Sequence, residues 1–217
     1  MKGVFIIFAD THRIIGNNIY ENVLSVYDIE LDKSQLLWGS VLPDILPQFK
    51  FHRHYQKESL NYIVNEIVKL IFLFRYIDFN DEMVPLKLQI VSKKIGIISH
   101  YLSDFVCFPH ANRWTFKNSM FKHISYESKL NNYAPIHLFK KNVINVEDVD
   151  IFQYKIIKLR PLIKEYIEKV VKEYSEDMSF ERDLDYSLSL SLKVTNFIFD
   201  TINAYDENTV KQFAFEF

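Results

Sequence analysis

Apolar residues recur at helical spacing along most of the 217-residue chain. Between residues 58 and 77 they fall at intervals of three and four, and polar residues fill the positions between them. This period, about 3.6 residues, is typical of an amphipathic helix. Pro161 interrupts a later stretch of the same period, where a kink or a restart of the helix is expected. The pattern predicts helices at 58–77, 86–106, 116–132, 149–173 and 183–204.

Residues that favour tight turns are scarce, with 4 Gly and 6 Pro in the whole chain. An all-β protein of this length would need many turns, whereas long helices need few. No repeat, low-complexity tract or linker divides the sequence, and its length suits one domain. We therefore predict an all-α fold, a single-domain helical bundle over residues 1–217. The predicted loops are 39–47, 80–85, 108–113, 133–135 and 175–179, with Asp81 and Ser179 as helix N-caps.

The composition narrows the function classes. Hydrophobic residues make up 48% and charged residues 25% of the chain, which is typical of a globular protein with a core. The formal net charge of −2 provides no overall positive field for nucleic acid. The one cysteine, Cys107, cannot form a disulfide within the chain and is predicted to be a small buried hydrophobe. Any transition-metal site would therefore use histidine and carboxylate ligands.

The amino terminus carries a short apolar run at residues 4–8, which Asp10 and Arg13 follow. A secretory core region needs roughly 7–15 apolar residues, so this run is too short for a convincing signal peptide. We read it as a buried strand or a docked arm. No stretch approaches the roughly 20 apolar residues of a membrane span. The chain is predicted to be cytoplasmic, or secreted if the sequence is that of a mature form.

Two histidine–carboxylate pairs stand out within the predicted helices. His100 and Asp104 are four residues apart, as are His123 and Glu127, and His110 lies just past the end of the helix that carries the first pair. Residues at i and i+4 share one helix face, about 6 Å apart along the axis. Imidazole and carboxylate groups are standard zinc ligands where thiolates are absent. Either pair alone could be an ordinary helix contact, but the two together indicate a metal site.

The runs around these residues resemble the motifs of the bacterial zinc-dependent phospholipases C, which share a superfamily with single-strand nucleases. The resemblance covers residues 11–127, and the rest of the chain is generic helix. Its elements keep the family's order and similar separations. They are Thr11-His12, the G-S-x-x-P-D run of Gly39–Asp44, the central run of Ser99–Asp104, Pro109–Asn112, and the H-x-x-x-E of His123–Glu127.

The resemblance implies a helical domain with two or three Zn²⁺ ions. One ion would be held by Asp44, a histidine of the 52–54 region, His100 and Asp104, a second by His110, His123 and Glu127, and a third by His12, a bridging Asp104 and the main chain of the first residue. His52 and His54 are both candidates, and we favour His54 because an aromatic residue follows it, as in relatives. Secreted members of the family begin with a tryptophan whose main chain is a metal ligand, whereas this sequence begins with Met1. A site with two metal ions is therefore the alternative.

The resemblance also implies hydrolysis of a phosphodiester, with phospholipid as a candidate substrate. Clustered divalent ions would lower the pKa of a bound water and stabilise the leaving alkoxide. Asp44 is the candidate to orient or deprotonate that water. The alternatives are a single-strand nuclease or 3′-nucleotidase of the same fold and a non-catalytic helical protein with structural zinc. The short gap between His110 and His123 and the lack of overall basic charge disfavour a nuclease.

Other conspicuous residues receive plainer interpretations. Trp38 and Trp114 are predicted to serve mainly in packing, although Trp114 follows the His110 loop and could line a pocket. His137 has no partner at ligand spacing and is predicted to be a loop or surface residue. The basic pairs Lys93-Lys94 and Lys140-Lys141 are predicted to be solvated.

Overall fold

The described part of the chain consists of helices and the segments that connect them. The computed structural model describes residues 9–74, 84–114, 116–149, 159–177 and 179–203, except the side chains of residues 50 and 116–118, and these parts of the chain contain no strand. The long helices are α1 (Ala9–Tyr27), α4 (Gln56–Phe74), α5 (Val84–Phe105), α7 (Phe116–Tyr133), α8 (Leu159–Tyr174) and α9 (Phe180–Asn203). The short ones are α2 (Lys33–Gly39), α3 (Leu42–Ile45) and α6 (Phe108–Ala111), with 3-10 turns at Pro47–Phe51 and Ala134–Ile136. The predicted all-α fold is confirmed.

The predicted helices correspond to α4, α5, α7, α8 and α9; their ends differ by a few residues, except that α8 is described only from Leu159, ten residues after the predicted start. Pro161 is the third described residue of α8, and the helix continues from it to Tyr174. Ser179 caps α9, because its Oγ accepts a 3.2 Å hydrogen bond from the backbone N–H of Arg182. Residues 4–8 and 150–158 and the predicted cap at Asp81 lie outside the described residues.

Helix α1 and the short helices were not among the sequence predictions. In α1, Ile15, Ile19 and Val23 are buried at helical spacing, so the signal was present along its inner face. The predicted loops 39–47 and 108–113 instead contain α3 and α6. Each of these helices is a single turn that begins with a proline among its first residues, where the fixed φ of proline suits a helix start.

Helix α5 is the centre of the bundle and packs against α2, α4 and α9, while α1 packs on α9 and α8 on α4. Its inward face buries Tyr101, Leu102 and Phe105 in a hydrophobic cluster that extends through α1, α4, α8 and α9. Full burial of one such side chain stabilises the fold by about 1.5–3 kcal/mol. Side chains carried by α5 therefore stand on the best-packed element of the protein.

Two glycines allow α2 to approach α5 closely. A Cβ atom on Gly96 of α5 would lie 2.2 Å from the carbonyl oxygen of Leu36, and one on Gly39 would lie 2.2 Å from the carbonyl oxygen of Lys93. Real Cβ contacts are never this short, so only glycine fits at either position. This packing brings the carbonyl at the carboxyl end of α2, that of Ser40, against the next turn of α5.

Candidate metal centre

The structure brings the predicted ligand side chains together in one cluster. Each lies within 3.8 Å of at least one other member through a nitrogen–oxygen contact. The elements that contribute them are far apart along the chain. The members are His12 on α1, Asp44 on α3, His54 just before α4, His100 and Asp104 on α5, His110 on α6, and His123 and Glu127 on α7.

Asp104 lies at the centre of the cluster. Its Oδ2 is 2.8 Å from Nδ1 of His54 and 3.2 Å from Nε2 of His100. Its Oδ1 faces the other way, 3.7 Å from Nε2 of His12 and 3.8 Å from Nε2 of His110. The two oxygens of one carboxylate therefore serve different pairs of histidines, which is the arrangement needed to bridge two cations.

The first group of possible ligands, which we name the Asp44 group, consists of Asp44, His54 and His100. One ligand atom from each lies within 4.8 Å of the others. Nδ1 of His100 donates a 2.9 Å hydrogen bond to the carbonyl oxygen of Ser40, which leaves Nε2 free to face the cluster. A hydrogen bond on one ring nitrogen fixes the tautomer and the orientation of a metal-binding histidine. The glycine packing between α2 and α5 thus orients this group.

The second group, which we name the Glu127 group, consists of His110, His123 and Glu127. Oε1 of Glu127 lies 2.9 Å from Nε2 of His110 and 2.7 Å from Nε2 of His123. Nδ1 of His123 donates a 2.8 Å hydrogen bond to the carbonyl oxygen of Trp114, so this ring is oriented in the same manner as that of His100. A third combination joins His12 to His100 and Asp104.

Several buried polar atoms of the cluster lack a hydrogen-bond partner among the described residues. They are Nδ1 of His12, Nδ1 of His110 and Oδ2 of Asp104, whose short histidine contacts do not have hydrogen-bond geometry. An unsatisfied buried polar group costs about 1–3 kcal/mol. Oδ2 of Asp104 therefore lies among imidazole nitrogens without a satisfied hydrogen bond, and imidazole with carboxylate is a donor set that fits Zn²⁺.

Burial and the carboxylate of Asp104 together determine the pKa values of the cluster residues on and beside α5. Burial and the neighbouring His100 lower the pKa of His12 to about 4, so its ring is neutral at pH 7 and able to bind a metal. Burial also disfavours the charged form of His100, but the carboxylates of Asp104 and Asp44 outweigh it and raise the pKa of His100 to about 9. Burial opposes ionisation of Asp104 as well, yet the surrounding histidines hold its pKa well below the usual value.

In the Glu127 group, burial and the neighbouring charged side chains again have opposite effects on the pKa values. Burial opposes ionisation of Glu127, but hydrogen bonds from His110 and His123 overcome it and lower the pKa of Glu127 to about 2. Burial likewise disfavours the charged form of His110, while Asp104 and Glu127 raise the pKa of His110 to about 8. The carboxylates are therefore ionised at neutral pH and favour positive charge within the cluster.

Comparison with known protein families gives one match. A family model described as zinc dependent phospholipase C matches residues 11–181 of the chain. The chain belongs to this family. The matched region contains every member of the cluster, from His12 to Glu127. No curated protein and no solved structure gives a significant match.

The predictions of family and fold are thus confirmed, and the family is a zinc-dependent one with phospholipid-type substrates. Several groups of the cluster could bind a metal. Within the described residues, no helix is both long enough and apolar enough to span a membrane. Cytoplasmic location remains a prediction.

The choice between His52 and His54 can be examined geometrically. His54 contacts both Asp104 and Asp44 in the cluster. His52 instead stacks on the ring of Tyr62, with 3.8 Å between ring centroids. The structure therefore brings the favoured histidine into the family's candidate metal centre and places the other against α4. Met1, the further candidate for a third site, lies outside the described residues.

Sequence reasoning did not find the carboxylate that holds α6 in place. Asp183 of α9 accepts a 3.1 Å hydrogen bond from the backbone N–H of Phe108, the first residue of α6. It also accepts hydrogen bonds from the hydroxyls of Tyr126 at 2.9 Å and Tyr174 at 2.5 Å. Burial raises the pKa of Asp183 to about 6, although these donors oppose the shift. Nothing in the sequence distinguishes Asp183 from a residue on a polar helix face.

The prediction for His137 was wrong in part. His137 lies in a loop, as expected, but its side chain is buried and Nε2 lies 2.7 Å from Oδ1 of Asp185. Lys94 also differs from its prediction as a solvated residue, because it pairs with the buried Glu66. Cys107 is buried, as predicted.

The two tryptophans differ in their surroundings, and only Trp114 matches the predicted packing role. Trp38 is exposed on α2. Trp114 packs edge-on against Phe108 and Tyr126, in line with its predicted packing role. Its carbonyl oxygen adds a second role, because it accepts the hydrogen bond that orients His123. That backbone contact carries no signal in the sequence.

Proposed function

We propose that the chain is a zinc-dependent phosphodiesterase of the phospholipase C type, which hydrolyses a phosphodiester with a metal-activated water. The observation that carries the proposal is the position of Asp104, whose two oxygens face different histidines. A shared carboxylate supports cations close enough to act on a single phosphoryl group. Membership of a zinc-dependent phospholipase C family points to the same reaction.

The ligand assignment follows the groups of side chains. The Asp44 group together with Asp104 would hold one zinc ion, and the Glu127 group would hold a second. His12 and Asp104 would supply some of the ligands of a third. When bound, zinc supplies a water of lowered pKa and positive charge for the phosphoryl oxygens. The carbonyl oxygens of Ser40 and Trp114 keep the ring nitrogens of His100 and His123 turned toward the cations.

Asp44 is the proposed residue that orients the attacking water and accepts its proton. It is the most exposed member of the cluster, with 29% of its side chain accessible, whereas the side chain of His100 is fully buried. Its Oδ1 lies 3.6 Å from ring nitrogens of both His54 and His100, so the carboxylate is held at the edge of the centre. A general base must reach both the water and solvent, and this position allows both.

Metal content and substrate preference test the proposal. We expect more than one zinc per chain by plasma mass spectrometry of protein purified without chelators or a histidine tag. A His100→Ala/His123→Ala variant should lose that zinc, and His54→Ala should lose part of it. His52→Ala is the matched control, because His52 stacks on Tyr62 outside the cluster and should keep full zinc content.

Activity would then be measured on phosphocholine esters, on single-stranded oligonucleotides and on 3′-nucleotides. Hydrolysis of the phosphocholine esters, lost in His100→Ala/His123→Ala, supports the proposal. Asp44→Asn, supplied with zinc until its metal content equals that of the wild type, should still lose most of its rate. Preferential cleavage of the nucleotides would replace the proposal with a nuclease, and zinc-loaded protein with no phosphoesterase activity would replace it with a structural role.

A further inference from the structure

The open side of the candidate metal centre is bordered by two segments with unusual surfaces. The more exposed cluster members include Asp44, His54 and His123, whereas His100 and Asp104 are buried. Asp44 directly precedes the stretch 45–57, which contains His54, and His123 directly follows a second stretch made of residues 112–114 and 119–122. We name these two stretches the rim.

The rim exposes large apolar side chains. Phe51 is 88% exposed and Phe121 is 86% exposed, and Ile45 and Met120 are also exposed. Ile45 directly follows Asp44, while Phe121 is two residues before His123. Exposed apolar side chains gathered beside a functional site indicate a surface that binds an apolar partner.

The two segments of the rim are joined to each other. The hydroxyl of Tyr55 donates a 3.2 Å hydrogen bond to the carbonyl oxygen of Trp114. Arg113 forms a 2.5 Å ion pair with Glu58, at the start of α4, and its guanidinium lies 5.4 Å from the ring centroid of Tyr55. The two stretches of the rim are therefore in contact with each other at Tyr55, Arg113 and Trp114.

The charge of the rim differs from that of the whole chain. Neither stretch contains an Asp or Glu, although the protein carries a net charge of −2. Arg53, Lys57 and Lys122 are exposed cationic side chains of these stretches, whereas the charge of Arg113 is paired with that of Glu58. Basic groups beside exposed aromatic and aliphatic side chains match a surface with anionic head groups above an apolar layer.

We propose that the rim docks the protein on the surface of lipid bilayers that contain anionic lipids. The inference rests on the proposed function and deepens it, because docking there would bring lipid phosphodiesters to the metal centre without a membrane-spanning helix. Phe51 and Phe121 enter the interface, and the cations contact the head groups. The aliphatic Ile45 and Met120 favour lipid over nucleic acid, because bases stack on aromatic rather than on aliphatic side chains.

The test is sedimentation of the zinc-loaded protein with vesicles, in brief incubations on ice so that little lipid is hydrolysed. The vesicles are phosphatidylcholine with phosphatidylglycerol, and phosphatidylcholine alone. The rim variant is Phe51→Ser/Phe121→Ser. The matched control is Ile136→Ser/Leu138→Ser, because Ile136 and Leu138 are 76% and 88% exposed but lie outside the rim. Zinc content and circular dichroism verify that each variant is folded.

We expect the wild type to sediment with the anionic vesicles and to be released by salt, since screening weakens attraction to charged lipids. The rim variant should bind at least about tenfold more weakly, because interfacial binding scales with the apolar area that is buried. The control should bind as the wild type does. Equal losses in both variants, or no vesicle binding by the wild type, would overturn the inference.

Other occupants of the rim would appear as distinct results. A wild-type dimer that the rim variant loses, or tight binding of single-stranded DNA in place of vesicles, would also overturn it. Binding is measured without turnover, so it is separable from the proposed function. Protein that binds vesicles but hydrolyses no phosphoester contradicts the function alone, whereas hydrolysis of water-soluble esters without vesicle binding contradicts the docking surface alone.

Discussion

The two halves of the metal centre are built differently. The Asp44 group includes His100, which stands in the middle of α5 and is oriented by a carbonyl at the end of a tightly packed helix. The Glu127 group stands on the single turn of α6 and on α7, whose backbone departs from helical geometry at Ser119. The carbonyl that orients His100 is held by close helix packing in the core, whereas the Glu127 group is held through hydrogen bonds that the loop carbonyl of Trp114 and the carboxylate of Asp183 accept.

This difference shows two ways of fixing a histidine in a helical protein. Packing against glycine tolerates almost no change in volume, so damage there should reach the whole fold. A hydrogen bond to a loop carbonyl or to a distant carboxylate contributes less to stability, so damage there should remain local. The two halves should therefore respond differently to substitution.

The largest effect is expected from Asp104→Asn, because Asp104 alone faces histidines of both halves and His12. Zinc should be lost from the entire centre, and activity should fall by more than the roughly 100-fold typical of losing an orienting partner. Glu127→Gln is the comparison, since Glu127 contacts only His110 and His123. It should keep the zinc of the Asp44 group. Equal zinc loss in both variants, measured by plasma mass spectrometry, would contradict a shared role for Asp104.

A second large effect is expected from Gly96→Ala, which places a methyl group 2.2 Å from the carbonyl oxygen of Leu36. Overpacking of this kind lowers the free energy of unfolding by about 1–3 kcal/mol, and separation of α2 from α5 should also disturb His100. The control is Gly16→Ala, whose new Cβ would lie 3.0 Å from the flexible end of Leu37 and at an ordinary contact distance of 3.7 Å from the hydroxyl oxygen of Ser40. Denaturant unfolding should show little loss there, because alanine favours a helix by up to about 1 kcal/mol over glycine.

Asp183→Asn should affect mainly the Glu127 group. The amide oxygen cannot replace a carboxylate that accepts from Phe108, Tyr126 and Tyr174, so α6 should lose part of its support. We expect zinc affinity at that group to fall about tenfold, the lower end for loss of an outer partner. Competition with a chromogenic chelator measures this. An equal loss at the Asp44 group would show that the two halves are not separately supported.

The same variant carries a pH test. The pKa of Asp183 is raised to about 6 in the fold, above its usual value, so the folded state binds this proton more tightly. The contribution to stability is therefore gained as pH falls from 7 toward 4 and lost as pH rises through 6, by at most about 3 kcal/mol for a shift of this size. The difference in unfolding free energy between wild type and Asp183→Asn should change in that direction. A difference that is constant with pH would contradict it.

The sequence revealed the ligand types because metal chemistry restricts them to few residues at helical spacing, as in His100 and Asp104. It revealed the long helices other than α1 because their apolar period is strong. It did not reveal Asp183 or the carbonyl of Trp114, because support through the backbone or from a distant helix leaves no local pattern. His137 shows the same limit, since its partner Asp185 is 48 residues away.

The smallest effect is expected from Tyr55→Phe, which tests the link between the two halves. Tyr55 follows His54, and its hydroxyl donates a 3.2 Å hydrogen bond to the Trp114 carbonyl that also orients His123. Losing one such bond costs about 0.5–1.5 kcal/mol, while His123 keeps its own. We expect a few-fold loss of zinc affinity at the Glu127 group and none at the Asp44 group.

Tyr27→Phe is the matched control for that change. Tyr27 also donates a 3.2 Å hydrogen bond to a backbone carbonyl, that of Asn196, and its hydroxyl contacts Asp200, both on α9 and outside the cluster. It should lower the free energy of unfolding by at least as much as Tyr55→Phe and leave zinc affinity unchanged. If both variants weaken zinc binding equally, the effect of Tyr55 is one of general stability, and the halves are joined only through Asp104.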